Sequence, residues 1–301
     1  MPRSPKSEST LAASTERVHP RSDDLELRPI REVVSRLHAE DRVAVHAVGL
    51  VLDQISALAE LATKVLRASG RIFYVGAGTS GRLGLLDAAE APPTFGVDHT
   101  MIQALIAGGP KAVFKAVEGA EDDVKAGSKA IRRVIRKGDL VIGLSASATT
   151  PFVRGALEEA RKHEAHTALV TCNPAAADRR LADLFVLPDT GPELISGSTR
   201  LKAGTATKLV LNAVSTAAMV ALGKVYRGRM VDLRPTNEKL RRRSLRIVRE
   251  LTGLPEAHAA KLLKSAGGAP KVALAMHFAR LSRKEAEARL REQSLREIAG
   301  P

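Results

Sequence analysis

At 301 residues the chain is long enough for one large domain with an appendage, and 44% hydrophobic with 27% charged residues describes a globular rather than a disordered protein. Its single cysteine, Cys172, excludes a disulfide framework within the chain and suits a reducing compartment. The formal charge of +14 raises nucleic-acid binding, yet 3% aromatics and no Trp leave little to stack on single strands.

The opening "MPRSPKSEST" lacks the apolar run of a secretory signal, so a cytoplasmic protein is expected. Residues 1–24 are polar and broken by Pro, which predicts a mobile tail. Two amphipathic helices are predicted over 28–39 and 41–68, the second with Val45, Val48, Leu52, Ile55 and Leu58 at helical spacing. From Gly70 onward short apolar runs alternate with helical or loop-like stretches: "RIFYV" (71–75), "MIQALIA" (101–107), "LVIGL" (140–144), "TALVTC" (167–172) and "LFVL" (184–187). That order predicts an α/β fold, a parallel sheet flanked by helices on both faces. A long helix near 202–223 contains "LVLNAVSTAAMVALG", too short and too interrupted by Asn212, Ser215 and Thr216 to span a bilayer, so no membrane partner is expected. Residues 237–301 predict a small helical bundle, leaving 25–236 as the main domain. In its "KLRRRSLRIVRE", Arg242, Arg246 and Arg249 recur at helical spacing beside Leu245 and Val248. A solvated basic face explains them without a nucleic-acid partner.

The chemistry-bearing signal is "RIFYVGAGTSGRLGLLDAAEAPPTFG". Gly76, Gly78 and Gly81 follow a strand and open a helix, as in a dinucleotide site or any site where backbone must approach an anion. A dinucleotide site wants an acidic residue at the end of the next strand; Asp98 has the spacing but precedes that strand, which counts against NAD. A sugar-phosphate site wants hydroxyls, and Thr79 and Ser80 supply them. A second cluster, "GLSASATTPF", offers Ser145, Ser147, Thr149 and Thr150 ahead of Pro151. Helix capping is the plainer reading of either cluster alone, but two at the C-terminal ends of parallel strands point to a ligand edge. A third stretch, "GPELISGSTRLKAGTATKLVLNAVST", carries Ser198, Thr199, Arg200, Lys202 and Lys208. Ser198 and Thr199 suit capping, and Arg200 or Lys202 suits an anion. The eight His residues show no H-x-x-x-H pairing, so no metal is expected, and Cys172 reads as a buried thiol.

Taken together, "GAGTSGRLGLLDAAEAPPTFG", "IAGG", "AVEGAEDD", "TPFVRGAL", "CNP", "GSTRLKAGTATKLVLNAVST" and "MVDLRPTNEKL" resemble the N-acetylmuramic acid 6-phosphate etherases of the sugar isomerase (SIS) domain superfamily, over about residues 15–250. The resemblance implies a SIS-type sheet and cofactor-independent cleavage of the D-lactyl ether of N-acetylmuramic acid 6-phosphate. It places Ser80, Ser145, Ser147 and Thr150 at the phosphate. Gly78, Thr79, Ser198 and Lys202 are read from the residues themselves as further substrate contacts, and Glu118, three residues before Glu121, either holds a sugar hydroxyl or is solvated. Glu90 of "DAAEAPP" and Glu121 of "EGAEDD" correspond to the two catalytic carboxylates. Glu90 would protonate the lactyl oxygen in a partly dry setting, and Glu121 would move the C2 proton. Ala148 stands where most such proteins have Gly; a positive φ there would cost about 1 kcal/mol. If residues 80–90 form a helix starting at the phosphate, Glu90 lies about 15 Å from that end, so a homodimer with shared active sites is expected. The rivals are a non-catalytic sugar-phosphate sensor related to glucokinase regulatory proteins, an aldose–ketose isomerase and a nucleic-acid-binding regulator.

Overall fold

The computed structural model describes residue 15, residues 17–233 and residues 238–300. Helices α1 (Ile30–Gly49) and α2 (Leu52–Arg67) lead into β1 (Ile72–Gly76), α3 (Gly78–Phe95) and β2 (Ile102–Ile106). The short α4 (Lys111–Phe114), then α5 (Val124–Arg132), β3 (Leu140–Leu144), α6 (Pro151–Lys162), β4 (His166–Val170) and β5 (Leu184–Val186) follow. The long α7 (Lys202–Ala221) and a hairpin of β6 (Val225–Tyr226) and β7 (Arg229–Met230) precede α8 (Glu238–Thr252), α9 (Glu256–Ser265), α10 (Pro270–Ala279), α11 (Arg283–Glu292) and α12 (Leu295–Ala299).

Strands β1–β5 form one parallel sheet in the order β2-β1-β3-β4-β5. Every residue of β1 and β3 is buried, which is why these strands read as continuous apolar runs without alternation. Tyr74, Ile142 and Val170 face a core with Leu58 and Leu66 of α2 and Val210 and Val214 of α7. Phe73, Val141 and Leu169 face a second core with Ile131 of α5 and Leu157 of α6. The strand order reverses between β1 and β3, so the loops leaving their C-terminal ends flank the crevice where such sheets take ligands.

Two expectations need correction. The first helix does not end at residue 39: α1 runs through Glu40, and the chain bends by 63° only between α1 and α2. Glu40 is buried because Lys202, Arg21 and His19 surround its carboxylate. The same cluster docks part of the expected tail, since His19 is buried and Arg21 is tied to Glu40; residues 1–14 and 16 lie outside the described ones. The β6–β7 hairpin was not legible, being two residues a side. It joins the main domain to the bundle, where Tyr226 and Val231 pack with Ile247, Leu274 and Ile298.

Along α8, Arg241 and Arg242 pair with Glu238, Arg246 with Glu250 and Arg249 with Glu256, an ion-paired exposed face. No single helix among the described residues is long and apolar enough to cross a membrane; α1 and α2 pass that test only as a bent pair.

Candidate active site

The site begins where β1 ends. A Cβ on Gly76 would lie 2.7 Å from the amide nitrogen of Gly81, and one on Gly81 would lie 2.8 Å from the Gly76 carbonyl oxygen, so α3 leaves the strand through a gap that admits no side chain. Gly78 opens the helix at φ +50°, a conformation that favours glycine. No side chain caps α3, which leaves its first-turn N–H groups for an anion beside the hydroxyls of Thr79 and Ser80.

The loop after β3 lies alongside. Ser145 is buried, and its Oγ lies 2.8 Å from Thr150 Oγ1; Ser147 Oγ lies 2.9 Å from Thr149 Oγ1. Capping does not account for Thr150, which precedes α6 without a side-chain cap bond. Asn173 Nδ2 donates to the Ser147 carbonyl at 3.2 Å and pins the loop to the end of β4. Ala148 sits at φ +68°, the left-handed conformation expected of it.

The start of α7 closes a third side: a Cβ on Gly204 would meet the Thr199 carbonyl oxygen at 3.4 Å and Thr79 Cγ2 at 3.6 Å. Neither Ser198 nor Thr199 caps this helix. The buried Glu193 does, accepting from Lys202 N at 3.0 Å and Ala203 N at 2.9 Å. Burial pushes the Glu193 carboxyl above its ordinary range, against the pull of those two amides and of Lys202. Lys202 does face an anion, but that anion is Glu40, 2.6 Å from its Nζ, with both side chains buried. Burial acts to raise Glu40 too, yet the hydrogen bonds from Lys202 and Arg21 hold it below the usual carboxylate value.

Glu118 and Glu121 stand on the segment between α4 and α5, Glu121 in a 3-10 turn over Ala120–Asp122. Asp123 accepts from Ala126 N and starts α5, which fixes where that turn lies. Glu118 and Glu121 line, together with Gly78 and Arg82, a cavity of about 160 Å³. The glycine loop and one of the two expected catalytic carboxylates thus share a site. Glu90 does not join them. It is exposed on α3, and Leu86, Ala89 and Pro93 beside it are exposed as well, so the single chain does not supply the dry setting expected for it.

Sequence reasoning missed the residues that hold this arrangement. Asp87, one turn from Glu90, is buried and accepts from Tyr74 Oη (2.9 Å), Asn212 Nδ2 (2.8 Å) and Ser215 Oγ (3.1 Å), locking α3 to β1 and α7. Burial and then the Asp87 charge push the Tyr74 phenol well above its ordinary value, so it remains a donor. The one signal was an acidic residue within the small and apolar run 83–89 of α3. Asp98 accepts from Thr100 N and Oγ1 in the turn before β2. Among the described residues no three His, Cys, Asp or Glu side chains stand close enough to share a metal ion.

A 2-1-3-4-5 parallel sheet with hydroxyl loops on both sides of its switch point is the architecture of a doubly wound ligand-binding domain. Residues 54–161 match the family model of the glucokinase regulatory protein N-terminal SIS domain. The fold is similar to a phosphoheptose isomerase from Francisella tularensis, with a TM-score of 0.51 at 14% identity, covering 64% of this chain and 98% of that one. Sequence relatives are much nearer. The N-acetylmuramic acid 6-phosphate etherase of Geobacillus thermodenitrificans is 46% identical over 280 residues, 93% of this chain and 95% of the relative. That of Cutibacterium acnes is 48% identical over 285 residues, 94% and 93% of the two chains. The chain belongs to the N-acetylmuramic acid 6-phosphate etherases.

Proposed function

We propose that the protein cleaves the D-lactyl ether of N-acetylmuramic acid 6-phosphate, giving N-acetylglucosamine 6-phosphate and D-lactate, as a carbon–oxygen lyase of peptidoglycan amino sugar recycling in the cytoplasm. The observation that carries this reading is the cavity shared by Gly78 of the anion loop and Glu121. The phosphoryl group binds the first turn of α3 and the Ser80, Ser145, Ser147 and Thr150 hydroxyls. Ring opening exposes a C1 aldehyde that acidifies the C2 proton. Glu121 removes that proton, the C3–O bond breaks, and Glu90 protonates the departing lactyl oxygen. Water activated by Glu90 then adds at C3, and the C2 proton is returned, which restores a saturated sugar.

Glu90 reaches the substrate from a second copy of the chain. Because α3 is unbroken from Gly78 to Phe95, Glu90 lies about 18 Å along the axis from Gly78, farther than a hexose spans. The exposed Leu86 (55% accessible), Ala89 and Pro93 around it form an apolar stripe that a dimer would cover. Covering would also dry the Glu90 carboxyl, as an acid role needs.

Purified protein given N-acetylmuramic acid 6-phosphate should release D-lactate, and Glu121→Gln should lower kcat by at least ~100-fold. Binding of the sugar without lactate release by the parent protein would favour a sensor instead.

A further inference from the structure

The substrate proposed for the etherase reaction carries two anions, the phosphoryl group at one end and the lactyl carboxylate on C3, and the role assigned to Arg82 rests on that reaction. The hydroxyl loops account for the first anion. The second enters the site beside the carboxylate that works at C2, and an anion placed next to Glu118 and Glu121 needs a cation.

We infer that Arg82 is the specificity-determining residue that binds the lactyl carboxylate. It is the one cationic side chain among the described residues lining the cavity that holds Gly78, Glu118 and Glu121. Its guanidinium is held in place: Nε donates to the Val113 carbonyl at 2.9 Å and Nη2 to the Ala112 carbonyl at 2.7 Å. Those bonds occupy two of the five N–H donors of an arginine and leave the planar fork oriented for a carboxylate. Of the other half-buried arginines, Arg36 holds Asp24 and Glu32, Arg71 holds Asp139 and Arg229 holds Glu250, while Arg243 of α8 has no carboxylate within 4 Å among the described residues. Arg82 has no carboxylate within 4 Å among the described residues.

The position also fits the division of labour between two copies. Arg82 and Glu90 share α3 and stand about 12 Å apart along its axis, so one chain cannot set both on the same lactyl group. Arg82 therefore acts with Glu121 of its own chain, and Glu90 comes from the other. The site then selects 3-ethers that carry an acid over neutral ones.

Two substrates separate this role from a merely structural one: N-acetylmuramic acid 6-phosphate and its lactamide, which has the same shape without the charge. The parent protein should favour the acid by at least ~30-fold in kcat/KM, the size expected of a charge-assisted bidentate contact. Arg82→Gln should lose that preference, turning over the amide within about threefold of the parent rate, and Arg82→Lys should keep part of it. Equilibrium binding of both sugars, measured by calorimetry in a Glu121→Gln background, should show the same loss of discrimination. Equal losses on both sugars, or none on either, would overturn the role of Arg82 and leave it holding the 112–113 backbone. Absence of lactate release from the parent protein, with discrimination in binding intact, would instead reject the etherase reading and keep Arg82.

Discussion

Ala148 holds a left-handed backbone conformation at φ +68° in the loop between Ser145 and Thr150, where an L side chain costs about 1 kcal/mol or more. Ala148→Gly should raise the unfolding free energy by about 0.5–1 kcal/mol after the added freedom of the unfolded chain is subtracted. Denaturant titration reads this directly, and a variant no more stable than its parent contradicts it. This residue was legible because the strain is local and the resemblance marks glycine there. Lys202 was legible only in part. Its need for an anion is plain from its type, but Glu40 lies 162 residues away in sequence, and no periodicity reports a pairing of that range. The same holds for Asp87 and Asn212, 125 residues apart. The two hydroxyl loops were readable because each lies within a few residues of a strand end.

At the scale of elements, the buried cluster of Glu40, Lys202, Glu193 and His19 ties α1 and the segment before it to the start of α7. Its pH dependence has a definite sign. Glu40 is held below its ordinary 4.5 in the fold, so the unfolded chain takes up a proton first as the medium acidifies. Its contribution is full above about pH 4.5 and is lost as pH falls through the lower folded value. His19 acts in the same direction, because burial lowers it from 6.5. Glu193 acts in the opposite one, since its raised value makes its share fullest at low pH. Glu40→Gln should flatten the acid loss below pH 4.5 and cost about 3 kcal/mol at pH 7 by leaving Lys202 buried without its partner charge. Denaturation midpoints followed from pH 3.5 to 7 check both, and a midpoint unchanged at pH 7 with the same acid slope contradicts the account. The sheet itself was legible because strands covered on both faces must be apolar throughout. The bend after α1 was not, because the buried charge that lets the helix pass Glu40 has its partners elsewhere in the chain.

For the whole molecule, the proposed role of Glu90, about 18 Å along α3 from Gly78, calls for two copies as the working unit. Mixing Glu90→Ala with Glu121→Ala, each inactive alone, should restore activity toward about a quarter of the parental rate at equal amounts, since half of the dimers are mixed and each has one intact site. No recovery in mixtures shown to contain heterodimers would reject the shared site. The charge of the molecule is distributed unevenly: residues 238–300 hold fifteen Lys and Arg against seven Glu and no Asp, more than half of the net +14. Most of the net positive charge therefore lies on the C-terminal helices rather than on the segments that carry the hydroxyl loops. That contrast makes the position of the substrate anion decisive. A crystal of the Glu121→Gln protein with N-acetylmuramic acid 6-phosphate should place phosphoryl oxygens within about 3 Å of the Ser80 and Ser145 hydroxyls. A phosphoryl group found instead against Arg242 and Arg246 of α8, with the loops after β1 and β3 empty, would contradict it.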